Sequence, residues 1–83
     1  MNKLKIKIKY YAYFKEFTGK EEEFLEVPEE STLNEIRDFV KSLYEKIRQQ
    51  EQVLVAVNGS FQPLDTVIHE GDLISFFPPV SGG

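Results

Sequence analysis

Cysteine is absent from the 83-residue chain, so disulfides, thiolate nucleophiles and thiolate metal sites are excluded. Histidine occurs once, as His69, without the cluster of carboxylates that a metal site would need, and a solvated turn is its expected setting. No apolar run approaches the roughly 20 residues that span a bilayer, and no signal-peptide core follows the N-terminus. A cytoplasmic protein without membrane contact is therefore expected. Excess positive charge is lacking as well: the net charge of −4 disfavours a nucleic-acid binder. Length is also short. A single domain of this size buries only about 60–65% of the surface its unfolded chain exposes, enough for one modest core. An enclosed substrate pocket beside that core would be hard to fit, which favours a binding or carrier module over a self-sufficient enzyme.

The charge is unevenly placed. Residues 1–20 hold six Lys and one Glu, whereas residues 21–83 hold four Lys/Arg and thirteen Asp/Glu. Lys3 to Tyr10 alternates strictly, the period of a half-buried strand with Leu4, Ile6, Ile8 and Tyr10 on its core face. The opposite face carries Lys3, Lys5, Lys7 and Lys9, which serve solubility and resist edge aggregation. Tyr11-Ala12-Tyr13-Phe14 reads as an extension of this strand, and Phe17 to Lys20 as a turn. Glu21 to Val27 reads as a second strand, paired antiparallel with the first. The run Glu21-Glu22-Glu23 fits a solvated strand edge better than a metal site.

Thr32 and Glu35 form a T-x-x-E capping box ahead of apolar residues at helical spacing, Leu33, Ile36, Val40, Leu43 and Ile47. Phe39 and Tyr44 widen that stripe, and one helix is expected over 32–48. Val53 to Val57 is a β-branched run followed by Asn58-Gly59, a strong hairpin signal. Ser60 to Gln62 would be a short return strand, Glu70-Gly71-Asp72 a turn, and Leu73 to Phe77 the last strand. Pro78-Pro79 must end it, because neither residue can donate to a ladder. These segments imply an α+β domain with a mixed sheet of four to five strands and one main helix. The first and last strands should lie parallel and adjacent. Residues 1–77 form the domain, and residues 78–83 a flexible tail.

The tail Pro78-Pro79-Val80-Ser81-Gly82-Gly83 is where the chemistry lies. Two prolines bias the chain to an extended form that projects from the domain. The four residues past Pro79 can reach about 13 Å. Gly82 and Gly83 lack Cβ atoms, so they can thread a narrow channel and leave the terminal carbonyl open. A free carboxylate is a poor electrophile. Once joined to AMP from ATP it becomes a mixed anhydride, and a sulfur donor can displace AMP to leave a nucleophilic thiocarboxylate. The same tail read without this chemistry is a frayed glycine terminus.

The chain resembles the small subunit of molybdopterin synthase, a ubiquitin-like sulfur carrier of the β-grasp fold. The resemblance runs through the lysine-rich first strand into Tyr10-Tyr11-Ala12, Val27-Pro28-Glu29, Val55-Ala56-Val57-Asn58-Gly59 and His69-Glu70-Gly71-Asp72. Its most specific part is the final octet, Phe76 to Gly83. It implies that an E1-like enzyme adenylates Gly83 with ATP, that sulfur is installed, and that the tail delivers it inside the large synthase subunit to the pterin precursor. It implies no cofactor bound by this chain, no catalytic side chain of its own, a monomer when alone, and a heterotetramer with the large subunit. Sulfur carriage for thiamine, cysteine or a tungsten cofactor, and ubiquitin-like modification of proteins, use the same tail. Strand alternation puts Phe76 and Phe77 on opposite faces, so at most one is core. The resemblance implies that Phe61 and Phe77 lie on the uncovered sheet face and, with Pro78, Pro79, Val80 and Ser81, meet the partners.

Overall fold

The computed structural model describes residues 2–79; Met1 and Val80, Ser81, Gly82 and Gly83 lie outside the described residues. Strand β1 (Lys3–Tyr10) leads into a short helix α1 (Tyr13–Thr18) and then β2 (Glu22–Pro28). The principal helix α2 (Leu33–Leu43) and the single turn α3 (Glu45–Arg48) precede β3 (Leu54–Val57) and β4 (Leu73–Phe77). The sheet order is β2-β1-β4-β3. β1 and β4 form the parallel centre, Ile8 facing Ile74 and Tyr10 facing Phe76, and both outer pairs are antiparallel. Parallel pairing needs a long crossover, which the helices and loops between β1 and β4 supply.

The lysine alternation places its apolar partners as expected. Ile6, Ile8 and Tyr10 are fully buried and Leu4 packs at the margin of the core. They meet Ile74 and Phe76 of β4, Val55 and Val57 of β3, and the inner stripe of α2, formed by Leu33, Ile36 and Val40. The capping box is present: Glu35 N–H donates to Thr32 Oγ1 at 3.2 Å, and Thr32 N–H donates to Glu35 Oε1 at 2.9 Å. The next two donors of the helix start are taken by the preceding-strand side of the 61–68 loop, Leu33 N–H by Thr66 O at 2.8 Å and Asn34 N–H by Leu64 O at 2.9 Å.

Three sequence expectations are corrected. Tyr11 to Phe14 does not prolong β1. Tyr11 N–H still bonds Phe76 O, but Ala12 adopts φ 54°, and Phe14 N–H turns back onto Tyr11 O at 3.0 Å. The aromatic residues then follow helical spacing, with Phe14 buried and Phe17 beside it, ring centroids 5.9 Å apart. Gly19, at φ 77°, closes this helix in the left-handed conformation that glycine adopts freely.

The helix expected over 32–48 is broken at Tyr44, whose extended backbone (φ −129°, ψ 105°) ends α2 and starts α3. Phe39 and Leu43 are exposed, while Ile47, beyond the break, is fully buried. Its cause is tertiary: Tyr44 packs edge-on against Tyr10 and donates its hydroxyl to Glu23.

The return strand at Ser60 to Gln62 is reduced to one bridge, Val57 with Ser60. Asn58 (φ 50°) and Gly59 (φ 86°) form the tight turn that their sequence signals, with reciprocal Val57–Ser60 backbone bonds of 2.8 and 3.0 Å. Pro63 cannot donate to a ladder, and the chain diverges to cap α2, so the sheet has four strands among the described residues.

Candidate functional site

Among the described residues, the helices pack on one face of the sheet and the other face is open. Register fixes which side chains it presents: Leu73, Ser75 and Phe77 from β4, Leu54 and Ala56 from β3, and the four lysines from β1. Phe76 is fully buried on the helix side, whereas its neighbour Phe77 is half-buried on the open side. Phe61, 67% exposed, leans on Phe77 from the loop after the Asn58-Gly59 turn. Their rings meet edge to face at a centroid distance of 5.5 Å, and Tyr11 meets Phe77 similarly at 5.9 Å.

These rings wall an apolar groove of about 560 Å³. Its floor is Ala56 and Ser75, both buried, and its far wall is Tyr11, Ala12 and Tyr13. Small floor residues beneath large wall residues give it depth. Gly59 lines one end, and Pro78 and Pro79 form its lip. Pro78 is buried and Pro79 is exposed. Of the expected site residues, the structure therefore gathers Phe61, Phe77, Pro78 and Pro79. Val80, Ser81, Gly82 and Gly83 fall outside the described residues.

Sequence reasoning missed Tyr11 and Tyr13, because it treated them as strand. The small residues Ala56 and Ser75, each on the same strand face as the aromatic wall, were the signal available. Ala12, between the two tyrosines, holds a positive φ that a residue with a Cβ rarely adopts, and it sets the angle of that wall.

The lysine half of the face adjoins the groove. Lys9 Nζ lies 5.2 Å from the centre of the Tyr11 ring. Lys5 and Lys7 lie over the Phe24 ring at 5.0 and 5.6 Å, and Lys7 pairs with Glu22 at 2.9 Å.

On the helix side, Glu23 departs from the solvated edge expected of it. Its Oε2 accepts from Tyr10 Oη at 2.6 Å and Tyr44 Oη at 2.7 Å, and its Oε1 from Lys20 Nζ at 3.2 Å. Burial pushes the Glu23 carboxyl up, but hydrogen bonds from Tyr10, Tyr44 and Lys20 outweigh it and hold the group below the usual carboxylate range. Burial, reinforced by the same carboxylate, pushes both tyrosine hydroxyls up.

His69 lies in an exposed turn, its backbone N–H donating to Asp72 Oδ2 at 2.8 Å. Asp72 Oδ1 accepts from Asn58 Nδ2 at 3.0 Å, and Asn58 Oδ1 accepts from Leu73 N–H at 2.9 Å. These bonds tie the start of β4 to the end of β3. Among the described residues, no group of three or more His, Cys, Asp or Glu could hold a metal ion, and no helix is long and apolar enough to cross a membrane. The aromatic groove is suited to receiving an apolar surface beside the root of the C-terminal tail.

A mixed four-stranded sheet curved over one principal helix, with an open aromatic face, defines a ubiquitin-like β-grasp protein. More particularly, the chain belongs to the ThiS family, whose model matches residues 8–83. It is 31% identical over 84 residues to a molybdopterin synthase sulfur carrier subunit of Mycobacterium tuberculosis, covering 96% of this chain and 99% of that protein. A molybdopterin synthase sulfur carrier subunit of Haemophilus influenzae is 46% identical over 35 residues; that match spans 42% of this chain and 43% of the relative. Among solved structures, a protein of Pyrococcus furiosus named for subunit 1 of molybdopterin converting factor superposes with a TM-score of 0.86. It is 31% identical, with 93% of this chain and 99% of that one covered. The fold is shared at a TM-score of 0.68 and 23% identity with a chain in the Helicobacter pylori complex of subunits 1 and 2 of molybdopterin-converting factor, covering 96% of this chain and 100% of that one.

Proposed function

We propose that the chain is the sulfur carrier of a molybdopterin synthase, acting through its own C-terminal carboxylate. The observation that carries the proposal is the position of Pro78 and Pro79, which precede Val80-Ser81-Gly82-Gly83 in the sequence and line the aromatic groove. A protein seated on Phe61, Phe77 and Tyr11 would thus have the Gly-Gly end delivered toward its interior. Kinship with sulfur carrier subunits over nearly the whole chain supports the same reading.

The cycle begins when the Gly83 carboxylate attacks the α-phosphorus of ATP on an E1-like adenylating enzyme, forming an acyl adenylate and releasing pyrophosphate. A sulfur nucleophile then attacks the acyl carbon, AMP leaves, and a thiocarboxylate remains. In the large synthase subunit that sulfur attacks an electrophilic carbon of the pterin precursor and displaces an oxygen leaving group, giving an acyl thioester. Water then attacks the acyl carbon, the acyl–sulfur bond breaks, the sulfur stays on the pterin and the carboxylate is restored. Gly82 and Gly83 keep the reacting carbon free of side-chain bulk. The chain contributes no catalytic side chain and binds no cofactor itself. It acts as a cytoplasmic monomer that joins the large subunit, two copies of each, in a heterotetramer.

Intact-mass measurement on protein recovered from cells tests this. The expected product gains the mass of sulfur exchanged for oxygen, located at Gly83, and loses that sulfur on incubation with the large subunit and pterin precursor. Covalent attachment of Gly83 to protein amines would instead identify a modifier. Transfer to a thiamine, cysteine or tungsten-cofactor precursor would assign another pathway.

A further inference from the structure

The aromatic groove occupies only half of the open sheet face; the other half is basic in an acidic protein. The two halves are joined side chain to side chain. Phe61 contacts Phe77, Phe77 contacts Tyr11, and Lys9 Nζ sits over Tyr11. Lys9 lies opposite Ser75 of the groove floor, and Lys7 opposite Leu73, in the parallel register of β1 and β4. The lysines are therefore the next row of the same surface.

Their charge is poorly compensated locally. Among the described residues, Lys7 pairs with Glu22, while Lys5 and Lys9 have no carboxylate within salt-bridge distance and lie over aromatic rings. Glu22 and Glu26 stand on the adjacent edge strand, opposite Lys9 and Lys5, and Glu70 Oε1 accepts from the Lys5 backbone N–H at 2.9 Å, so the four lysines of β1 still outnumber three neighbouring carboxylates on a chain of net charge −4.

We propose that the lysine row of β1 is the second half of the docking surface, and that the protein seated on the aromatic groove presents carboxylates to Lys5, Lys7 and Lys9. This rests on the reading above that the groove receives a protein. A stable interface covers about 800 Å² per partner, more than the groove alone, so it extends over the neighbouring strand. Covering ammonium groups without partners is costly, and a basic partner would be repelled. A partner with an apolar anchor framed by Asp or Glu meets both halves. The lysines then set the encounter rate, and the aromatic wall sets residence.

The test measures association and dissociation with the large synthase subunit over a range of salt concentrations, for the wild-type chain, the K5Q/K9Q double variant, the K5R/K9R double variant and F61A. Lys7 is kept so that Glu22 retains its partner, and thermal melting verifies each fold. K5Q/K9Q is expected to slow association about tenfold at low ionic strength, to flatten its salt dependence, and to leave dissociation near wild type. K5R/K9R restores the rate, whereas F61A speeds dissociation and leaves the salt dependence unchanged. Wild-type association and salt dependence in K5Q/K9Q overturn the proposal. So does lysine-dependent binding to a single-stranded oligonucleotide or to phosphatidylserine vesicles that competes with the large subunit. Absence of binding by the wild-type chain overturns it whatever the loading result. A chain that binds in the expected way yet never acquires a thiocarboxylate would count against the sulfur-carrier reading and leave the two-part surface standing.

Discussion

The Tyr44 hydroxyl and the Glu23 carboxylate, 21 residues apart in sequence, meet at 2.7 Å and hold open the break between α2 and α3. Replacing Tyr44 with Phe keeps the ring against Tyr10 and removes only this bond to a charged acceptor. A loss of about 1.5 kcal/mol is expected, because the site is only partly desolvated. Urea unfolding at neutral pH measures it, and an unchanged midpoint would show the bond to be incidental.

The same carboxylate carries a pH signature. Its folded pKa lies below its unfolded value, so its contribution is fully present above the ordinary carboxylate range and fades as pH falls through the lower, folded value. Glu23→Gln should lower stability at neutral pH and flatten the acid limb of the stability curve. The Tyr10 and Tyr44 hydroxyls are raised, so their contribution is present below the ordinary tyrosine range and is lost in strong alkali. Parallel acid limbs for wild type and Glu23→Gln would remove Glu23 from the account.

Ala12 sits at φ 54° on the groove wall, where a Cβ is strained. Ala12→Gly removes a cost of about 1–3 kcal/mol and adds about 0.5–1 kcal/mol of unfolded-state entropy. A small net gain in melting temperature is expected. A loss would mean that the methyl packs more favourably than the backbone is strained.

The adjacent residues Phe76 and Phe77 should behave oppositely. Phe76→Ala empties a fully buried site and should cost about 3–5 kcal/mol of stability. Phe61→Ala should alter stability by about 0.5 kcal/mol or less but weaken the large-subunit complex by about 2 kcal/mol. Phe77→Ala falls between in stability and resembles Phe61→Ala in affinity. Calorimetric melting and titration on each variant separate the two effects, and a melting shift without an affinity change for Phe61→Ala would contradict the docking assignment.

Deleting Gly83 should abolish sulfur loading with no change in melting. Mass measurement after incubation with the adenylating enzyme and ATP decides it; loading of the shortened chain would refute the carboxylate mechanism.

What the sequence disclosed followed the range of the forces involved. The eight-residue alternation of β1 and the Thr32–Glu35 box are local devices, and both are found where their spacing places them. The outward turn of Phe77 follows from pleat geometry alone. Tyr44 breaks its helix for a carboxylate on another element, so helical spacing around it continues unmarked. Tyr11-Ala12-Tyr13-Phe14 has strand-forming composition, and only the close of the β1–β4 ladder at Phe76 turns it into a helix start and a groove wall.

The C-terminal residues follow, in the sequence, a strand in the middle of the sheet. β4 is laddered to β1 on one side and to β3 on the other. A tug on the C-terminus along the strand axis therefore loads two ladders at once, in shear, and cannot peel an edge bond by bond. On the proposed sulfur-carrier reading the domain would work as a mooring, with the sheet holding fast while a partner draws the tail taut.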